Sequence, residues 1–427
     1  MSEADLVTLP NHLRVISVPM PHLHSIELAC YLGVGGRHDP RGQEGIAHFV
    51  EHMLFRGTAE HPDSQALERA FEAIGGAVNA ATDCETTCFH TRVHPDHLAA
   101  GIGLFASMLL RPSLTGIDTE RRIILEEARE DFNQDGEEIN PDNLTGQLLW
   151  PDHPMGVPTI GTESGILAVD RAALERHRER FYCPNNAVIV AAGRLDPAEL
   201  LAAVEDCFGD WNVAELPEEQ PVSGWQPVDY PQFSWVEDAD SQVMVQLAFA
   251  LPGRDTAELI PLRLLRRVLG GSGPTRLMQR LREELGLTYN VEANLSLYAD
   301  CGVLSIDLAV APENLVEAVQ ECVGVLTRLV ADGVDEEELA AIKRTYLFDL
   351  DFSRDQPEAH AVRYGWGEII GLRRDIAEDS AEIAATNAEQ IRVQAEQLFV
   401  PGRLCAAFVG PFESQQKDQV EKLLRTF

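Results

Sequence analysis

FYCPNNAVIVAAGRLDPAELLAAVEDCFGDW (181–211) and RLCAAFVGPFESQQKDQVEKLL (403–424) are built on one plan, and that plan decides the fold. Each begins with a short apolar run suited to a buried strand and continues with residues at helical spacing. In the first, the turn falls at Gly193, Asp196 is placed to cap the helix, and Pro197 suits its first turn. A strand followed by a helix closes each half of the chain.

The elements before these closures also recur in order. The first half runs through strands LRVISVPM (13–20) and SIELACYLGVGG (25–36) to helices GIAHFVEHMLF (45–55) and SQALERAFEAIGG (64–76). Strands AVNAATD (77–83) and TTCFHTRV (86–93) follow, then two long helices in which Leu104, Met108 and Leu109 show the helical step. The second half repeats this with SQVMVQLAFAL (241–251), LIPLRLLRRVLG (259–270), TRLMQRLREELGL (275–287) and TYNVEANLSLYADCGVLSIDLAV (288–310). Repetition of this kind predicts a duplicated domain. The expected class is α+β: two homologous α/β domains, each a mostly antiparallel sheet flanked by helices. Between them NVAELPEEQPVSGWQPVDYPQFS (212–234) holds four prolines and no periodicity. The expected division is therefore 1–213, a linker at 214–235, and 236–427.

Composition narrows the function. The chain has 427 residues, 45% of them apolar and 24% charged, which is enough for two full cores, and it has no apolar run of membrane-spanning length. Its net charge of −35 speaks against nucleic acid as a partner, because phosphate recognition needs clustered Lys and Arg. Acidic residues near the N-terminus, in MSEADLVTLPNHLRVISVPM, are unlike an export signal, so a cytoplasmic location is expected. The eight cysteines are scattered and are expected to be reduced.

The chemistry concentrates in His48-Phe49-Val50-Glu51-His52. On a helix, His48 and His52 project roughly 40° apart and one turn along, which suits two imidazoles on one zinc. Glu51 falls about 60° to the other side of His48, where it can serve a water at the metal without ligating the metal. This order, H-x-x-E-H, is the inverse of the commoner zinc motif. A third ligand is required, and a carboxylate is usual beside two histidines. The helix DTERRIILEEARED (118–131) offers Glu120, Glu126, Glu127 and Glu130, with Glu120 and Glu127 on one face and Glu126 and Glu130 on another. Ile123, Ile124 and Leu125 suggest that this helix is largely packed.

TLPNHLRVISV, GIAHFVEHMLFRGT, IGGAVNAATD, ERRIILEEARED, IGTESGI, FYCPNNAVIVAAGRLDP and LREELGLTYNV together resemble the pitrilysin, insulin-degrading enzyme and mitochondrial processing peptidase group. The likeness covers nearly the whole chain, in the manner of a bacterial-type member with one half of the longer enzymes. It implies a zinc endopeptidase with one zinc per chain, His48, His52 and Glu127 as ligands, and Glu51 as base. It further implies that Glu120 supports a ligating histidine, and that Asn79 and Ala80 bind the peptide backbone by strand addition. Arg282 and Tyr289 match an Arg and a Tyr that the family's second half points at the scissile carbonyl. Peptide substrates and a chamber built from two chains follow, as a homodimer or as a heterodimer with a related chain. The rival expectation is a non-catalytic structural or partner subunit, but such relatives typically lose part of the zinc set.

Overall fold

In a computed structural model, which describes residues 4–218, 221–222, 231–271 and 273–427, the recurring elements fold into two sheets of identical connectivity. The first half supplies β1 (Asp5–Thr8), β2 (Arg14–Pro19), β3 (Ile26–Leu32), β4 (Val78–Thr82), β5 (Thr87–Val93) and β6 (Ala187–Gly193). The second supplies β7 (Gln232–Val236), β8 (Val243–Pro252), β9 (Val291–Leu297), β10 (Cys301–Val310) and β11 (Leu404–Val409). The sheet orders are β1-β2-β6-β3-β5-β4 and β7-β11-β8-β10-β9. Adding five to each strand from β2 to β6 turns the first order into the second, and β1 is the sole addition. The parallel pair also recurs, as β2 with β6 and β7 with β11, while all other pairings are antiparallel. The duplication is real and the class is α+β.

The chain forms two compact units that do not follow sequence order. One comprises 1–128, 157–220 and 351–375; the other comprises 129–156, 221–350 and 376–427. Each half therefore contributes one segment to the other half's unit. In the first unit, β3 and β6 are buried along their whole length because both faces of the sheet are covered. Helices pack on one face, and Ala361 and Tyr364 pack on the other against Ile16, Val18, Ala29, Tyr31, Val188 and Val190. Gly365 is required there: a Cβ would lie 2.6 Å from Val190 and 2.7 Å from the Tyr31 ring. In the second unit, Leu144 of the helix Pro141–Leu149 packs with Val236, Ala407 and Val409. Beside it, buried Gln246 donates 2.6 Å bonds to Asp142 and Asp307 and accepts one from Thr145. Unpaired, that amide would cost about 1–3 kcal/mol, so the network fixes where this helix docks.

Part of the proline-rich stretch, at 219–220 and 223–230, lies outside the described residues, and its end is already strand, since β7 begins at Gln232. Asp196 caps the helix Pro197–Phe208 by accepting from Ala198 N–H, with Pro197 in the first turn. The stretch 275–287 is wound in part as a π-helix, Met278–Glu284. All eight cysteines are free thiols. No helix among the described residues is long and apolar enough to cross a membrane.

Candidate metal centre

Helix α1 (Ile46–Leu54) carries the H-x-x-E-H motif. It starts at Gly45, whose φ of 97° is left-handed, and a Cβ there would lie 2.4 Å from the Ile160 carbonyl, so only glycine fits. The helix start is held by Asp39, whose buried carboxylate accepts the N–H of Gly45 at 2.6 Å and of Ala47 at 3.1 Å. Burial pushes the Asp39 carboxyl up to about 8, against the pull of these backbone donors. Phe49, Val50, Met53 and Leu54 sink into the core, which leaves His48 and His52 half-buried on one side.

The facing helix, Ile117–Ala128, buries only Glu120 and Ile124. Ile123 is 46% exposed, so this helix is less packed than its apolar run suggests: it lies on the unit's surface and turns one narrow face inward. That face brings Glu120 and Glu127 to α1. Glu127 Oε1 lies 3.9 Å from His48 Nε2, and its Oε2 lies 3.6 Å from His52 Nε2. The two Nε2 atoms are 3.2 Å apart. Among the described residues, His48, His52 and Glu127 are the group of metal-capable side chains whose donor atoms converge. Glu126 is not in it.

Glu120 accepts from His52 Nδ1 at 2.9 Å, which turns the Nε2 lone pair toward His48 and Glu127, and Arg56 stands 3.5 Å from its other oxygen. Burial depresses the His48 imidazole to about 4, with the neighbouring His52 charge adding to the effect. For His52, burial acts in the same direction but is outweighed by the Glu120 hydrogen bond and by the charges of Glu51, Glu127 and Glu120, so its value is raised. Glu51 is 8% exposed, and burial raises its carboxyl while a hydrogen bond from Thr82 and the His52 charge oppose the rise.

Asn79 and Ala80 lie on β4, the outer strand of the first sheet, paired on one side to β5. Asn79 is exposed and Ala80 half-buried. Arg282 and Tyr289 belong to the second unit, where the guanidinium stands 4.8 Å from the ring centroid and Tyr289 is 81% exposed. Three residues with a part in the centre escape the sequence reading. Thr82 lies in a stretch recognised as a strand, and Arg56 lies four residues beyond the motif. Asp39 sits in a loop, and its partners are backbone groups that no side-chain pattern marks.

Residues 14–163 match the family described as insulinase, peptidase family M16, and residues 168–346 match the peptidase M16 inactive domain. An uncharacterised zinc protease of Mycobacterium bovis is 32% identical over 96% of this chain and 93% of its own length. One from Bacillus subtilis is 27% identical over 92% of this chain and 95% of its own. Among solved structures, a protease from Helicobacter pylori superposes with a TM-score of 0.87 at 20% identity, covering 96% of this chain and 100% of that one. A peptidase M16 inactive domain from Pseudomonas fluorescens gives 0.85 at 20% identity, covering 96% and 98%.

Proposed function

This chain belongs to peptidase family M16, and we propose that it is a zinc-dependent endopeptidase whose metal is held by His48, His52 and Glu127, one ion per chain. The observation that carries the reading is the spacing of the donors. Atoms held about 2.1 Å from a tetrahedral zinc lie about 3.4 Å from one another. Here the two imidazole nitrogens are 3.2 Å apart, and Glu127 comes within 3.9 Å of His48 through Oε1 and within 3.6 Å of His52 through Oε2, so the donors fit the ion with small adjustments. Bound zinc would supply a Lewis acid and bring the pKa of water near 7.

The chain's own groups do the rest. Glu51, one residue before His52 and not among the ligands, takes the proton of the attacking water and returns it to the leaving amine. Burial raises its carboxyl, the direction that favours taking up a proton. The outer strand β4 binds an extended peptide along its open edge, through the backbone of Ala80 and the exposed side chain of Asn79 beside it. Arg282 and Tyr289 donate to the oxyanion from the second domain of a partner chain, in a cytoplasmic homodimer that encloses the site. These roles divide between the unit of 1–128, 157–220 and 351–375 and the unit of 129–156, 221–350 and 376–427. A non-catalytic role is disfavoured by the complete donor set. Metal analysis tests the reading: His48→Ala and His52→Ala should each lose zinc, and retention of zinc in both would overturn it.

A further inference from the structure

Thr82 Oγ1 donates to Glu51 Oε2 at 2.5 Å. In β4, residues 78, 80 and 82 turn inward and 79 and 81 outward, so Thr82 projects toward α1, where the Glu51 carboxylate lies. The neighbouring Thr87 hydroxyl is 3.4 Å away and gives its own proton to the Val34 carbonyl at 2.8 Å, so the proton that reaches Glu51 comes from Thr82.

The backbone of Thr82 has a separate orientation. Asp83 N–H donates to Thr86 C=O at 2.9 Å, with Thr82 opposite Thr87, Ala81 opposite Cys88, and Asn79 opposite His90. Alternate residues of an antiparallel pair bond their partner, so 79 and 81 commit their backbone groups to β5. Residues 78, 80 and 82 direct theirs to the open side of the strand. Thr82 thus faces the open edge with its backbone and the Glu51 carboxylate with its hydroxyl.

We propose that Thr82 is the positioning residue for Glu51. It holds Oε2, so that Oε1 meets the reacting water, and it ties the base to the strand along which a peptide would lie. The proposal rests on Glu51 being the base, and the experiment separates the two. Thr82→Val keeps the shape and removes the hydroxyl; Thr82→Ser keeps the hydroxyl and removes the methyl. Losing a hydrogen bond to a charged group should lower kcat about 10- to 100-fold in Thr82→Val, with KM and zinc content unchanged. Thr82→Ser should retain kcat within about threefold of wild type. Crystals of metal-free protein should show one Glu51 rotamer in wild type and several in Thr82→Val, a readout independent of turnover. Wild-type kcat in Thr82→Val, equal damage in Thr82→Ser, or loss of zinc from Thr82→Val would each overturn the positioning role, provided Glu51→Gln is inactive. Turnover in Glu51→Gln would overturn the base itself and the proposal with it.

Discussion

His177 should make the fold acid-sensitive independently of the metal. It lies on the helix Arg171–Phe181, buried, with its ring 4.9 Å from Phe181 and no hydrogen-bond partner for Nε2 among the described residues. Burial, aided by the charges of His38 and Arg180, depresses its imidazole to about 3. In an unfolded chain it titrates near 6.5. Between these values the unfolded state binds the extra proton, so stability falls as pH falls through that window. From pH 7.5 to pH 5.0 the two values give a loss of about 2 kcal/mol. The assay is urea unfolding of chelator-stripped wild type and His177→Phe at both pH values. The packing change in the variant is the same at each pH, so it cancels in the comparison. Wild type should lose about 2 kcal/mol more than the variant on acidification. Equal losses would show that His177 does not titrate as its burial demands.

Glu120→Ala should weaken zinc binding about 10- to 100-fold, measured by chelator competition, because His52 loses the partner that orients it; an unchanged affinity would deny that role. Glu127→Gln should lose zinc and Glu126→Gln should keep it by elemental analysis, and the reverse would refute the choice of Glu127. Mixing Glu51→Gln chains with Tyr289→Phe chains should restore activity towards half of wild type in the mixed dimer, once mass measurement has shown that subunits exchange. No recovery would mean that Tyr289 serves its own chain.

The duplication was legible because each half repeats its apolar periods in the same order; repetition implies a shared strand order but not which order, and that comes from the pairings alone. The exchange of 129–156 and 351–375 between the units was not legible. Sequence order assigns each segment to its own half, and only the docking of Leu144 and Thr145 on one sheet and of Tyr364 and Gly365 on the other reveals the crossing. In the centre, helical geometry brought His48 and His52 together, and the shared face of Glu120 and Glu127 left Glu127 well placed. Ile123 misled because an apolar residue need not be buried. Thr82 depends on a contact across the fold, with Glu51 31 residues away in the chain, whereas Asp39 holds backbone groups six and eight residues on, which no side-chain pattern marks.

The most direct test of the central claim is zinc content measured together with peptide cleavage in the Glu51→Gln chain. The account predicts about one zinc per chain, since the ligands are untouched. It also predicts turnover lowered by about 100-fold or more, since the proton acceptor is gone. Loss of zinc would make Glu51 part of the donor set, and near-native cleavage would show that the reaction has another base; either result contradicts the account.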